Sequence, residues 1–368
     1  MSPVVGIDAT PLLGPRTGVG VFVDGLLSTL VGRPGLTLRA YGLTARGFRR
    51  LGTLLPPGVA LRRLPLPAGV ALRTWAAADL PTIETWSGRV DVVHGTNFVV
   101  PPSRRATRLV SVHDLTSLHF PELCTPAARR YPDLVRRAVG QGAWVHAVSE
   151  SVASETVAHL GADPARMRVI YSGAPQPSPE PNPARRSGGR PYILALGTVE
   201  PRKNLPALVA AFDRIADDHP DLDLRIAGPP GWGDEALARA VDAAHHGGRV
   251  ARLGWVPDPA EELAGAAVVA YPSLYEGFGF PPLEAMAAGV PVVATSVAAL
   301  PEVLGDAALL VAPGDIDALA AALGRVLADD VLRATLIAAG RARVGRYRWE
   351  LTGEHFARLY TQLAAIRR

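Results

Sequence analysis

Short apolar runs alternate with helical patterns along almost the whole chain, and that alternation limits the fold more than any other feature. In the first half, Val4–Asp8, Val90–Val93, Arg108–Val112 and Trp144–Val148 read as buried strands. In the second half, Tyr192–Leu196, Leu222–Ala227, Ala251–Leu253, Val268–Tyr271, Val290–Ala294 and Ala308–Val311 read the same way. Helical patterns such as Val19–Leu30, Leu205–Asp217 and Glu235–Ala244 lie between them, and Ser149 has the chemistry of an N-cap for a helix over Glu150–Leu160. Strands that alternate with helices predict parallel sheets covered on both faces. Pro175–Arg190 reads PQPSPEPNPARRSGGR, too poor in apolar residues for either element, and is a predicted linker. The expected architecture is therefore α/β: two doubly wound domains facing across a cleft, residues 1–175 and 191–346, joined through 176–190. A last helical pattern, Trp349–Ile366, is long enough to cross back, so 347–368 is assigned to the first domain. Ligands of such sheets bind beyond the carboxyl ends of the strands.

Several function classes drop out early. A single cysteine, Cys124, leaves no internal disulfide framework and no Cys-based zinc site. The longest apolar runs, such as Ala266–Tyr271, fall far short of the ~20 residues that span a bilayer. The start, Met-Ser-Pro-Val-Val-Gly-Ile-Asp, lacks a basic region followed by an apolar core, so a cytoplasmic location is expected. No Gly-x-x-x-x-Gly-Lys loop, Gly-x-Ser-x-Gly elbow or His-Glu-x-x-His string occurs. Asp221-Leu-Asp223 and Asp315-Ile-Asp317 belong to the start of a strand and of a helix, and no metal site is expected from them. Residues 1–180 hold 19 Arg against 12 acids. That excess suits an anionic partner or membrane surface, and equally a solvated face. It lacks the aromatic-studded patch of a nucleic-acid binder, and no nucleic acid is expected as a partner.

The densest chemical signal is Tyr275-Glu-Gly-Phe-Gly-Phe-Pro-Pro-Leu-Glu284, after a predicted strand and at the start of a short helix. Glu276 and Glu284 are separated by seven residues. Gly277 and Gly279 remove side chains where backbone amides approach a ligand. Pro281 and Pro282 suit a helix start, whose amides and partial positive charge favour phosphate. Carboxylates accept hydrogen bonds from sugar or ribose hydroxyls. The second signal is Leu196-Gly-Thr-Val-Glu-Pro-Arg-Lys-Asn204, again at a strand–helix junction. Lys203 is the one lysine among 38 basic residues. A GC-rich, arginine-favouring composition explains why lysine is scarce, and not why this one sits beside Arg202. Arg grips phosphate through a planar fork and Lys adds a point charge, so the pair suits a diphosphate. The first half adds the glycine turn Thr17-Gly18-Val-Gly20, a weak dinucleotide fingerprint without a third glycine, and two histidines at strand ends, His94 and His113. His113, followed by Asp114, is the stronger candidate of the two for reaching into the cleft.

Taken together, these strings resemble the retaining glycosyltransferases of family 4, with the two-domain GT-B fold of Rossmann-like halves. The resemblance spans nearly the whole chain: Thr17–Gly20, Val112-His-Asp-Leu115, Ala147-Val-Ser-Glu150, Val169-Ile-Tyr-Ser-Gly173, Gly197–Asn204, Leu224-Arg-Ile-Ala-Gly228, Leu253-Gly-Trp-Val256 and, above all, Glu276–Glu284. The resemblance implies the following roles. Glu284 would bind the ribose of a sugar nucleotide. Glu276 and the amides of Gly277, Phe278 and Gly279 would hold the donor sugar. Arg202, Lys203 and the amide of Leu283 would hold the diphosphate. Trp255 and Val256 would lie near the base. Gly18 and Gly20 would shape the first-domain side near the phosphates. His113 would touch the donor sugar near the reacting carbon. Two positions depart from the pattern. Thr198 stands where many relatives carry Arg, which shifts phosphate binding onto Arg202 and Lys203. Ser172 stands where the family has Asn.

The implied reaction is metal-independent hexose transfer from a nucleoside-diphosphate sugar with retention of configuration, and no resident cofactor. GDP-mannose is the first expectation for the donor, from the likeness of Glu-Pro-Arg-Lys-Asn204 to mannosyltransferases; a UDP- or TDP-sugar is the alternative. The expected acceptor is a saccharide, a lipid-linked saccharide or a small natural product. A lipid-linked acceptor would bring the basic first domain to the inner face of the membrane. Two other functions stay open at this point: a sugar-nucleotide epimerase on the same scaffold, and a sugar-nucleotide-binding protein without turnover. Release of nucleoside diphosphate only in the presence of an acceptor separates both from a transferase.

Overall fold

The computed structural model describes residues 2–14, 18–44, 47–63, 67–177 and 189–366. Thr17 and most of the expected linker, 178–188, lie outside the described residues. The chain divides into two compact units, one running through Gly173 and resuming at Trp349, the other spanning Ala174–Arg348.

The first unit is a seven-stranded sheet of β1 (Val4–Asp8), β2 (Thr37–Gly42), β3 (Ala60–Arg63), β4 (Val92–Gly95), β5 (Thr107–Val112), β6 (Trp144–Ala147) and β7 (Met167–Val169), in the order β3-β2-β1-β4-β5-β6-β7. All its pairings are parallel. β2, β3 and β7 escape the sequence pattern because they lie toward or at the sheet's edges. Arginines interrupt the first two, and β7 has only three residues. The helix over Glu150–Leu160 starts as its sequence predicts, with Ser149 accepting from the Val152 amide at 3.1 Å.

The C-terminal helix, Trp349–Ala365, is part of this unit. Glycines make room for its first residue: a Cβ on Gly25 would stand 2.5 Å from the Trp349 ring, and one on Gly173 would also strike it. Further along, Thr352 donates to the Tyr171 carbonyl at 2.8 Å, and the Leu363 carbonyl accepts from Thr107 at 3.0 Å.

The second unit is a six-stranded parallel sheet of β8 (Tyr192–Leu196), β9 (Asp223–Ala227), β10 (Val250–Gly254), β11 (Val268–Tyr271), β12 (Val292–Thr295) and β13 (Leu309–Val311), in the order β10-β9-β8-β11-β12-β13. Every residue of β8, β11 and β12 is buried, the mark of strands covered on both faces. The strand order reverses between β8 and β11, where a doubly wound sheet opens a crevice beyond its strand ends.

Candidate active site

Both strong sequence signals emerge on the two strands that flank this reversal. Arg202 and Lys203 follow β8; Glu276 and Glu284 follow β11. The two loops are tied by backbone, the Leu274 amide donating to the Arg202 carbonyl at 2.8 Å. Asn204 then turns the chain into the next helix with a positive φ of 51°, a conformation that asparagine tolerates better than most residues.

Glu276 is the hub. Its Oε1 accepts from Lys203 Nζ at 2.7 Å and meets Arg202 Nη1 at 2.7 Å. Lys203 also donates to the Tyr271 hydroxyl at 2.6 Å, and Arg202 to the Tyr275 carbonyl at 2.7 Å. Glu200 adds a second carboxylate, 3.4 Å from Arg202 Nη2. Glu276 is only 6% exposed. Burial pushes its carboxyl up, but the charges of Arg202 and Lys203 outweigh burial and hold it down at about 2. Burial draws Lys203 below the ordinary lysine range, with Glu276 opposing. The cluster thus gathers two basic side chains and two carboxylates, Glu276 and Glu200, in a largely buried place. Both cations converge on Oε1.

Eight residues on, Glu284 lies in the helix Phe280–Ala287 and is half-buried. Burial raises its carboxyl, and among the described residues no side chain donates to it. Such a carboxylate suits a hydroxyl-bearing ligand. The helix opens at Gly279, whose φ of 103° favours glycine. Pro281 and Pro282 carry no amide hydrogen, so the first-turn amides belong to Phe280 and Leu283. The Leu283 and Phe278 side chains are buried, Phe278 edge-on to Phe280 and Tyr347, so these two residues offer a ligand their backbone alone. Gly277 lies between them and Glu276 on the same loop. Trp255, 48% exposed, and half-buried Val256 follow β10, two strands beyond β8.

The first unit holds the other candidates. His113 follows β5, and its Nε2 donates to the Thr96 carbonyl at 2.6 Å. Because a carbonyl only accepts, Nε2 carries the proton and Nδ1 keeps its lone pair. Burial lowers the imidazole below its usual value, against the pull of the Thr96 contact and Asp114, and so favours the neutral ring.

His94 does not reach a ligand site. It is fully buried, with Nδ1 2.7 Å from the Tyr360 hydroxyl and Nε2 2.7 Å from Ser111 Oγ. Its strand-end position is real, but the C-terminal helix covers it. Gly18 and Gly20 are likewise not turn residues: they occupy the first turn of the helix Gly18–Leu30, and Gly20 is buried. Tyr271, whose hydroxyl accepts from Lys203, is a contact of the cluster that the sequence reading passed over, as it passed over the buried carboxylate Asp8 in the first unit. Asp8 ends β1, accepts from the Thr10 amide at 2.9 Å, and is raised by burial to about 6. The available signal was a carboxylate closing an apolar strand.

Two family models cover most of the chain. Residues 17–175 match the model described as Glycosyltransferase Family 4, and residues 190–329 match Glycosyl transferases group 1. The O-antigen chain mannosyltransferase B of Escherichia coli is 34% identical over 274 residues, covering 70% of this chain and 71% of that protein. The chain belongs to the family 4 glycosyltransferases. This glycosyltransferase is also 40% identical to the phosphatidyl-myo-inositol mannosyltransferase of Mycolicibacterium smegmatis over 174 residues, which cover 46% of this chain and 44% of that one. Among solved structures, the sucrose-phosphate synthase of Thermosynechococcus elongatus matches with a TM-score of 0.77 at 21% identity over 100% of both chains. HepE of Anabaena, determined with UDP-glucose, matches with 0.75 at 18% identity over 98% of this chain and 99% of that one. These structural matches establish the GT-B fold of the glycosyltransferase.

Proposed function

We propose that this glycosyltransferase moves a hexose, with mannose the first candidate, from a nucleoside-diphosphate sugar to a saccharide or lipid-linked acceptor with retention of configuration. The observation that carries the reading is the Glu276 hub: two cations at the strand-order reversal, held beside a helix start and beside a half-buried carboxylate in Glu284. The glycosidic bond breaks as negative charge accumulates on the departing diphosphate. Preorganised Arg202 and Lys203 stabilise that charge more in the transition state than in the ground state, so the reading needs no metal. Glu276 orients both cations and holds the donor sugar. Glu284 takes the ribose, the amides of Gly277, Phe278, Gly279 and Leu283 line the donor, and Trp255 and Val256 flank the base. In the first unit, His113 is assigned to the donor sugar on the strength of the family resemblance, and Gly18 and Gly20 to close backbone approach.

Both relatives named above are mannosyltransferases, which favours GDP-mannose; the UDP-glucose complex of HepE keeps UDP as the alternative. The acceptor reading rests on charge. From residue 25 through residue 78 the chain has eight arginines and no acid, which accounts for the entire basic excess of the first half. Arg49, Arg50, Arg62, Arg63 and Arg73 are exposed, and among the described residues none meets a carboxylate. Arginines of this kind suit an anionic lipid surface. No described helix is long and apolar enough to cross a membrane.

A thermal-shift series with GDP, UDP, TDP and ADP tests the donor. The correct nucleotide at 100 times its Kd stabilises the fold by about 2.7 kcal/mol. No shift with any of the four overturns the reading. Nucleoside diphosphate released only when an acceptor is added separates transfer from epimerisation and from binding alone.

A further inference from the structure

The chain has six tryptophans. Trp75 is buried, and Trp86, Trp144 and Trp349 are half-buried. The two exposed ones, Trp232 at 54% and Trp255 at 48%, both follow the carboxyl ends of neighbouring strands, β9 and β10. Their loops begin side by side, the Gly228 amide donating to the Gly254 carbonyl at 2.8 Å.

The backbone around Trp232 is locked to the loop that carries the cations. The Val199 amide donates to the Pro229 carbonyl at 3.1 Å, and the Gly233 amide donates to the Val199 carbonyl at 3.0 Å. Trp232 stands between two glycines that allow this approach. A Cβ on Gly231 would lie 2.5 Å from the Val199 carbonyl oxygen, and one on Gly233 would lie 3.0 Å from the Glu200 backbone. The Asp234 amide closes the turn onto the Gly231 carbonyl at 3.1 Å. A large aromatic side chain is thus held in solvent on a backbone with little freedom. Exposure of an indole is costly when the chain could bury it, and rigid presentation removes most of the entropy lost on stacking a ligand there.

Across the second sheet the loops run in the order Glu276 and Glu284 after β11, Arg202 and Lys203 after β8, Trp232 after β9, Trp255 after β10. Adjacent strands are ~4.8 Å apart, so the aromatic pair begins one to two strand spacings from the cations. A nucleotide has the same order of parts, an anionic diphosphate at one end and a flat aromatic base at the other. We propose that Trp232 is a stacking contact for the nucleobase of the donor and forms, with Trp255, an aromatic platform that sets base affinity. This assignment rests on the sugar-nucleotide reading above.

The test measures Kd by calorimetry for GDP, UDP, TDP, ADP and inorganic pyrophosphate with the wild type, Trp232→Ala and Trp232→Phe. Because Trp232 is exposed, both variants are expected to fold with an unchanged Tm. Loss of one base-stacking aromatic weakens binding by ~10-fold or more. The expected result is that loss for the better-bound nucleotide in Trp232→Ala, most of it restored in Trp232→Phe, with pyrophosphate unaffected. A Trp232→Ala protein that binds the nucleotide within twofold of wild type overturns the proposal. Equal weakening for pyrophosphate overturns it as well, by assigning the effect to the cation loop. A wild type that binds none of these ligands removes the sugar-nucleotide reading, and this contact with it.

Discussion

Lys203 Nζ lies 2.7 Å from Glu276 Oε1, so the chain's one lysine is bound to the first carboxylate of the Glu-x₇-Glu string. The contact joins the loop after β8 to the loop after β11. On the proposed reading, it places a compact cation where a diphosphate leaving group would gain charge. Lys203→Ala is expected to lower kcat/KM by ~10²-fold or more, the scale of losing one preorganised donor. A steady-state assay of nucleoside-diphosphate release checks this, and near-normal turnover would remove Lys203 from the mechanism.

Glu276 also stabilises the fold. Its carboxyl sits at about 2 in the native state against 4.5 ordinarily, so the native state favours the charged form. The resulting stabilisation is complete above pH ~4.5 and is lost as pH falls through ~2; at pH 7 it amounts to about 3 kcal/mol. Glu276→Gln leaves Lys203 and Arg202 without this counter-charge, though Arg202 keeps Glu200. Urea unfolding at pH 7 should show a loss of about 2–4 kcal/mol that narrows by pH 3. A pH-independent difference between the two proteins would contradict the pairing.

A directional chain of hydrogen bonds crosses the first sheet. The Ile170 carbonyl accepts from His146 Nε2 at 2.9 Å, so His146 Nδ1 must accept from Ser111 at 2.8 Å. Ser111 in turn accepts from His94 Nε2, and His94 Nδ1 accepts from Tyr360. Burial holds His94 far below its usual value and His146 at about 3, so both rings are neutral. The unfolded chain binds these protons below pH ~6.5 and the folded one does not, so stability falls as pH drops from ~6.5 toward 3. Ser111→Ala strands one buried donor and one buried acceptor and should cost about 2–5 kcal/mol. Chemical denaturation at pH 7.5 and 5.5 measures both effects; an unchanged midpoint in Ser111→Ala would refute the chain.

Glu284 is expected to recognise the ribose. Wild type should bind GDP ~10–100-fold more tightly than 2′,3′-dideoxy-GDP, the range of hydrogen bonds to a charged group. Glu284→Ala should erase that preference while pyrophosphate binding stays unchanged. Calorimetry decides it. A preference that survives in Glu284→Ala would place the ribose elsewhere.

The sequence was informative where chemistry is local. Ser149 announces a helix start because its hydroxyl caps an amide three residues away, and Asp315 does the same for the Ala318 amide. The Glu276–Glu284 spacing and the position of Lys203 could be read because strand, loop and helix follow one another directly in each case. His94 could not be judged that way. It looks like His113, a histidine at the end of an apolar strand. Its partner Tyr360 arrives on a helix 266 residues later and seals it. Trp232 was equally hidden, since its exposure depends on contacts of Gly231 and Gly233 with a different loop.

By itself, then, the amino-acid sequence determined the alternation of strands and helices, the parallel sheets and the residue types that suit a sugar nucleotide. Those properties follow from periodicity and from interactions a few residues long. Tertiary structure alone decided which candidates meet. It drew Arg202 and Lys203 onto a single oxygen of Glu276, left Glu284 without a side-chain donor among the described residues, and closed His94 into the core. The reason is physical: burial, charge pairing and satisfied hydrogen bonds depend on distances in space, and strands adjacent in a doubly wound sheet can be far apart in the chain.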